Sequence, residues 1–336
     1  MPKKRIIGYD IIKTIAIISV VLYHFGRVSF GTFNQDGVYY PNVTKVLYEL
    51  LACCVPLFFM VNGALLADRS LGWGKILKYL ILSIFYPVLF YLFLFPLLDL
   101  SVAPKVNLKT IIFSMEFKGV YWFLFTLGVL YAVNTITSHF RIRKYLAILL
   151  FITPFISNQI WSFVVLFNPN IIIPFWGHWG VFTLYSFLFF YLGNYLKQMN
   201  LDTQKKNAIN TILFIGGWFL LVLDVFVFSN YNKTIYDGVN SSFCSLGALL
   251  LACSLFMFFK DLQIRNRYFE KLVLFVGRNT MGIYVFHMFF IMLLRRYLLP
   301  EVISPVFAIL ICFCIVIICS FISEGLSRTP LKFLFK

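Results

Sequence analysis

Apolar residues run along this chain in blocks of roughly 20, about the length a helix needs to cross a bilayer core. About ten such blocks can be drawn, over residues 6–26, 46–66, 79–98, 119–138, 145–162, 178–196, 208–228, 239–259, 272–294 and 303–323. The polar connections between them are short, the longest being 27–45, 99–118 and 229–238, and none can hold a soluble catalytic domain. The pattern predicts an all-α integral membrane protein of about ten transmembrane helices, a single membrane domain over residues 1–336. Neither an internal repeat nor the inverted repeat of secondary transporters is visible. Two stretches are less regular. Residues 163–180, FVVLFNPNIIIPFWGHWG, carry Pro169 and Pro174 and read as an interfacial or re-entrant piece. Residues 101–118 have apolar spacing compatible with a short amphipathic helix lying on the membrane. Any chemistry must then be done by residues on helices or at their ends.

Composition agrees with that class: 61% of the 336 residues are hydrophobic, only 12% are charged, and 41 are Phe. No soluble domain of this length needs so much apolar surface. The formal net charge of +16 raises the question of nucleic acid, which the placement of the charges answers. With the N-terminus in the cytoplasm, 19 of the 29 Lys and Arg residues fall on that side and 8 on the other, with Lys13 and Arg278 inside spans. That bias predicts both termini in the cytoplasm. It reports topology and contact with anionic membrane lipids, and no nucleic-acid partner is expected. The seven cysteines have neither metal-site nor disulfide-framework spacing and read as small packing residues. The opening MPKKRIIG resembles a signal peptide, but Asp10 and Lys13 interrupt the apolar run and no small-residue cleavage site follows, so a retained first helix is expected. The Phe-, Ile-, Lys- and Asn-rich composition hints at an AT-rich bacterial genome, hence a multi-pass protein of a bacterial plasma membrane.

Ionisable residues inside the drawn spans include Asp10, Lys13, His24, Glu49, Asp224, Arg278 and His287. Such groups are costly in hydrocarbon and are functional candidates by default. On one helix, Lys13 and His24 differ by only about 20° in direction and by about 16 Å along the axis. Asp10 lies about 60° from Lys13, on the same side. The three line one stripe, as a cavity or pore would require, with Lys13 near the cytoplasmic end and His24 near the outer end. Plainer roles exist: Lys13 can snorkel to the interface while paired with Asp10, and His24 can be a solvated helix-end histidine. Glu49 and Asp224 read better as structural partners or cavity-lining groups. Arg278 and His287 are expected on opposite faces of span nine if that span is one straight helix.

Beyond that stripe, a series of short motifs follows in order. DIIK, then ten intervening residues, then His24 are followed by PLFFMVNGALL at 56–66 and by KILK, with Lys75 and Lys78. YWFLFTLGVLY opens span four, FLFFYLGNYL closes span six and GRNTMGIYVFH opens span nine. Each motif is weak alone, but the ordered series, from residue 9 to about 290, resembles the integral-membrane acyltransferase family 3 proteins, which O-acetylate surface glycans and other acceptors. The departures are Lys at 13, 75 and 78 in place of Arg, and Asn62 where the family usually has Ser. They bear on the contacts to the donor more than on the chemistry. The resemblance is to the minimal form, without an extracytoplasmic esterase-like domain.

The resemblance implies an O-acetyltransferase that takes its acyl group from acetyl-CoA and uses no metal. His24 would deprotonate a hydroxyl of a cell-surface or lipid-linked glycan at the outer end of the cavity. The nucleotide of acetyl-CoA would meet Lys75 and Lys78 at the cytoplasmic mouth, with Arg69 and Arg278 as further candidate donor contacts. Its thin pantetheine arm would thread up the stripe, with Lys13 either touching the donor or anchoring Asp10. Glu116, Tyr121, Trp122 and His178 are the candidate acceptor contacts, near Trp176, although the tryptophans equally suit an interfacial aromatic belt. Two other readings stay open: a carrier or channel using the stripe as an ion or proton path, and a non-catalytic membrane subunit of an export system.

Overall fold

A computed structural model describes residues 5–26, 43–89, 115–139, scattered positions between 145 and 168, and residues 184–232, 245–298 and 303–335. Every regular element among these described residues is helical. The helices are α1 (Ile7–Gly26), α2 (Val43–Tyr48), α3 (Cys54–Leu66), α4 (Trp73–Leu89), α5 (Met115–Ile136) and α6 (Leu184–Gln198). They continue as α7 (Thr203–Asn232), α8 (Leu246–Phe259), α9 (Arg267–Arg278), α10 (Thr280–Tyr297), α11 (Pro305–Leu326) and α12 (Lys332–Phe335). A 3₁₀ segment, Glu49–Cys53, joins α2 to α3.

Among the described residues, four stretches are long and apolar enough to cross a membrane: Ile7–Gly26, Val46–Leu66, Thr203–Val227 and Pro305–Leu326. The bent pair α9–α10 makes a fifth when counted as one span. Ile212, Ile215, Phe219, Val306, Leu310 and Phe321 are exposed on the flanks of α7 and α11, an apolar exterior that lipid, not water, can solvate. The chain is thus an integral, multi-pass helical membrane protein. The expected spans at 79–98 and 145–162, and the irregular stretches at 101–118 and 163–180, lie partly outside the described residues. Helix starts follow local chemistry: Ser245 accepts from Ala248 N, Asn266 from Tyr268 N and Phe269 N, and Ser304 from Phe307 N with Pro305 directly behind it. Five of the described cysteines, Cys53, Cys54, Cys253, Cys312 and Cys319, are buried free thiols, and Cys314 is exposed.

The span expected over 272–294 is corrected. It is not one straight helix, because α9 and α10 meet at 77°. Asn279 sits at the break and donates from Nδ2 to Phe275 O (2.9 Å), which ends α9. α9 also carries Arg267, Glu270 and Lys271 in its first turns, so lying along the interface suits it better than entering hydrocarbon.

Helix α1 stands at the centre, packed against α3, α8, α9, α10 and α11. Helices in lipid gain little from burying apolar area, so close backbone approach through small residues matters more. Two crossings are built this way, each from a pair of glycines. A Cβ on Gly63 would collide with the Phe190 backbone, and one on Gly193 with the Met60 backbone, where α3 meets α6. Gly217 and Gly247 play the same part where α7 meets α8. Gly8 of α1 packs against the carbonyls of Phe259 and Lys260.

These contacts sort the bundle into two ends. One gathers the start of α1 and the ends of α3, α6 and α8. Lys260 Nζ donates to Leu196 O (2.8 Å) and Met199 O (2.7 Å), and Asn194 Nδ2 donates to Asp68 Oδ2 (2.8 Å). The other end gathers the end of α1, Tyr48 and the end of α10. There Tyr48 Oη donates to Tyr23 O (2.9 Å) and Arg295 Nη2 to Phe25 O (2.5 Å).

Candidate active site

At the first end, Asp10 is 1% exposed and takes three charged donors. Arg5 forks onto both carboxylate oxygens from Nε (2.5 Å) and Nη2 (2.8 Å), and Lys13 Nζ reaches Oδ1 at 2.7 Å. Two cations on one carboxylate leave the mouth of α1 net positive. The bond to Asp10 is the main cause holding the Arg5 guanidinium above its ordinary range, so Arg5 stays protonated. α9 closes over this cluster. A Cβ on Gly277 would stand 2.9 Å from Asp10 Cβ, so only a glycine lets the two helices approach this closely. One turn on, Thr14 Oγ1 donates to Val273 O (3.3 Å). The sequence counted Arg5 only among flanking charges. Its position five residues before Asp10, at the entry to an apolar run, is the signal that the sequence offers.

Near the second end, the His24 ring lies 4.9 Å from that of Tyr23 and 5.3 Å from that of His287, centroid to centroid. His287 is fully buried, and its Nδ1 stands 2.7 Å from Tyr284 O and 3.2 Å from Ile283 O. Both partners are carbonyls, which only accept, so Nδ1 carries the hydrogen and Nε2 carries the lone pair of the neutral ring. Among the described residues that Nε2 has no hydrogen-bond partner.

The expectation that Arg278 and His287 occupy opposite faces of one helix is corrected with the bend. Arg278 ends α9, half-exposed, 3.4 Å from Glu324 Oε2 at the Asp10 end of the bundle. His287 lies on α10 beside α1. The sequence marks His287 as an ionisable group inside a span, but spacing along a straight helix hides the break that sets it beside α1.

The other expected residues fall into three groups. Trp122 stands on α5 with its ring 6.3 Å from those of Phe123 and Tyr185. Phe123 is 5.7 Å from Tyr284, which is 6.0 Å from His287, so aromatic rings connect Trp122 to the histidine pair. The side chains of Glu116 and Tyr121, and both His178 and Trp176, lie outside the described residues. Arg69 is exposed on the α3–α4 connection, Lys75 is exposed and Lys78 half-buried on the first two turns of α4. That connection is anchored: Asn134 Nδ2 donates to Arg69 O (3.0 Å), Leu71 N to Thr135 Oγ1 (3.1 Å) and Asn194 Nδ2 to Asp68. It belongs to the same end of the bundle as Asp10.

Asn62 is held inside the bundle, donating from Nδ2 to Phe58 O (2.8 Å) and accepting at Oδ1 from Tyr131 Oη (2.7 Å). It ties α3 to α5. Glu49 is buried on the 3₁₀ segment, and Asp224 accepts from Gln159 Nε2 (3.2 Å), as suits structural groups. Among the described residues no cluster of His, Cys, Asp and Glu has the geometry to hold a metal ion. A family model described as an acyltransferase domain, that of acyltransferase 3, matches residues 6–324. No curated protein and no solved structure matches the chain.

Proposed function

The chain belongs to the acyltransferase 3 family, and from that premise we propose that it moves an acetyl group from cytoplasmic acetyl-CoA to a hydroxyl of a cell-surface or lipid-linked glycan. Ten spans with both termini in the cytoplasm of a bacterial plasma membrane complete the reading. One observation carries it: the central helix bears a net-positive Arg5–Asp10–Lys13 cluster at one end and His24, against buried His287, near the other. Cations at one mouth suit a phosphate-bearing donor, and an imidazole is the side chain whose ordinary range suits proton transfer near neutrality. His24 takes the proton of the acceptor hydroxyl while its oxygen attacks the thioester carbonyl. The new C–O bond forms, the C–S bond breaks, and the proton passes from His24 to the departing thiolate of CoA. The gap of about 16 Å between Lys13 and His24 is of the order an extended pantetheine arm spans. Trp122 and its neighbouring rings offer flat faces on which a sugar packs.

The test is label transfer from radiolabelled acetyl-CoA to candidate glycans by purified protein in lipid. His24→Ala should abolish transfer while leaving membrane insertion and thermal melting unchanged. Transfer at the original rate by this variant would end the reading.

A further inference from the structure

His287 is a titratable group that this mechanism leaves unused. Its Nδ1–H is committed to the Ile283 and Tyr284 carbonyls, which fixes the ring on α10 and leaves the Nε2 lone pair as the free polar position. That atom is fully buried, and leaving a buried acceptor unpaired is unfavourable. Its titratable neighbour across the α1–α10 contact is His24. A ring nitrogen lies about 1.1 Å from its own centroid, so a hydrogen bond of about 2.9 Å between two ring nitrogens spans about 5.1 Å from centroid to centroid. The two rings stand 5.3 Å apart and are tilted by 46°, a separation close to the one such a bond requires.

We propose that His287 is a positioning residue for His24: its Nε2 accepts the ring N–H of His24 and thereby turns the lone pair of the other His24 nitrogen toward the acceptor hydroxyl. A neutral imidazole has one N–H and one lone pair, and the partner of the N–H decides which nitrogen is the base. When His24 takes the hydroxyl proton, the imidazolium then finds an acceptor already in place. Arg295 and Tyr48 hold the same turn of α1 by bonding the carbonyls of Phe25 and Tyr23, which keeps the His24 backbone beside α10. Acid–base machinery elsewhere loses orders of magnitude in rate when the group orienting its histidine is changed, although geometry is kept.

This inference rests on His24 being the base, and the experiment separates the two. Steady-state acetyl transfer and thermal melting are measured for H24A, H287F, H287N and H287Q in lipid. Phe keeps the ring volume without a polar atom. Asn carries its amide at the reach of Nδ1, and Gln at the reach of Nε2. H287F and H287N should lower kcat by about 100-fold with KM for acetyl-CoA and acceptor little changed. H287Q should recover a tenfold or greater part of that loss by restoring an acceptor at the Nε2 position. If H287F keeps the wild-type kcat, or Asn and Gln behave alike, His287 has no positioning role while an inactive H24A leaves the base in place. If H24A itself is active, both fall. Should H287F fail to fold, the Asn–Gln difference alone decides.

Discussion

A carboxylate as occluded as Asp10 must be neutralised where it sits, and here Arg5 and Lys13 share the task. The share is unequal. Arg5 engages both oxygens in a planar fork, whereas Lys13 contributes one contact from a partly exposed ammonium. Lys13→Ala leaves the fork intact and should cost about 1 kcal/mol or less. Asp10→Asn leaves two cations facing each other beneath α9 and should cost about 3 kcal/mol. Thermal melting of the purified variants in detergent measures the difference, and equal losses would mean that the fork is not the main tie. The pairing of Asp10 with Lys13 was legible from their spacing of one helical turn. The pairing with Arg5 was not, because Arg5 lies before the helix, where helical spacing does not say which way a side chain turns.

At the scale of elements, two of the sequence motifs meet in space. Gly63 belongs to PLFFMVNGALL and Gly193 to FLFFYLGNYL, and the glycines let α3 and α6 touch backbone to backbone. Gly193→Ala forces a methyl into the Met60 backbone and should destabilise by about 2 kcal/mol, as overpacked interfaces do. Gly74→Ala, where nothing lies within 4 Å, is the control and should be neutral or better. Fluorescence-detected size exclusion after a heat step compares the two. A third motif, GRNTMGIYVFH, reads differently once folded. Its Gly277 admits Asp10, its Asn279 ends α9, and its His287 meets His24. Periodicity alone drew one span through it, since apolar residues continue across the break.

Over the whole molecule, the exposed basic residues Arg69 and Lys75 share an end with the Arg5–Asp10–Lys13 cluster, while the histidine pair stands toward the other. Under the proposed reading, Lys75 and Lys78 are the cations that would meet the phosphates of a donor entering from this end. Lys75→Ala combined with Lys78→Ala should therefore raise the KM for acetyl-CoA by about tenfold and leave kcat within about twofold, as the loss of uniform binding does. Initial rates against acetyl-CoA concentration check this, and an unchanged KM would remove both lysines from the donor site.

The sequence by itself determined the solvent, the helical class and the polar stripe of α1. These follow from hydropathy and from 100° per residue, which are properties of one segment at a time. Only the tertiary structure decided which residues of distant segments share a site: Arg5 with Asp10 beneath Gly277, Asn194 with Asp68, His24 with His287. Such partners depend on a bend at Asn279 and on how closely glycine-bearing helices pack. Both are set by contacts between segments, which no pattern within a single span encodes.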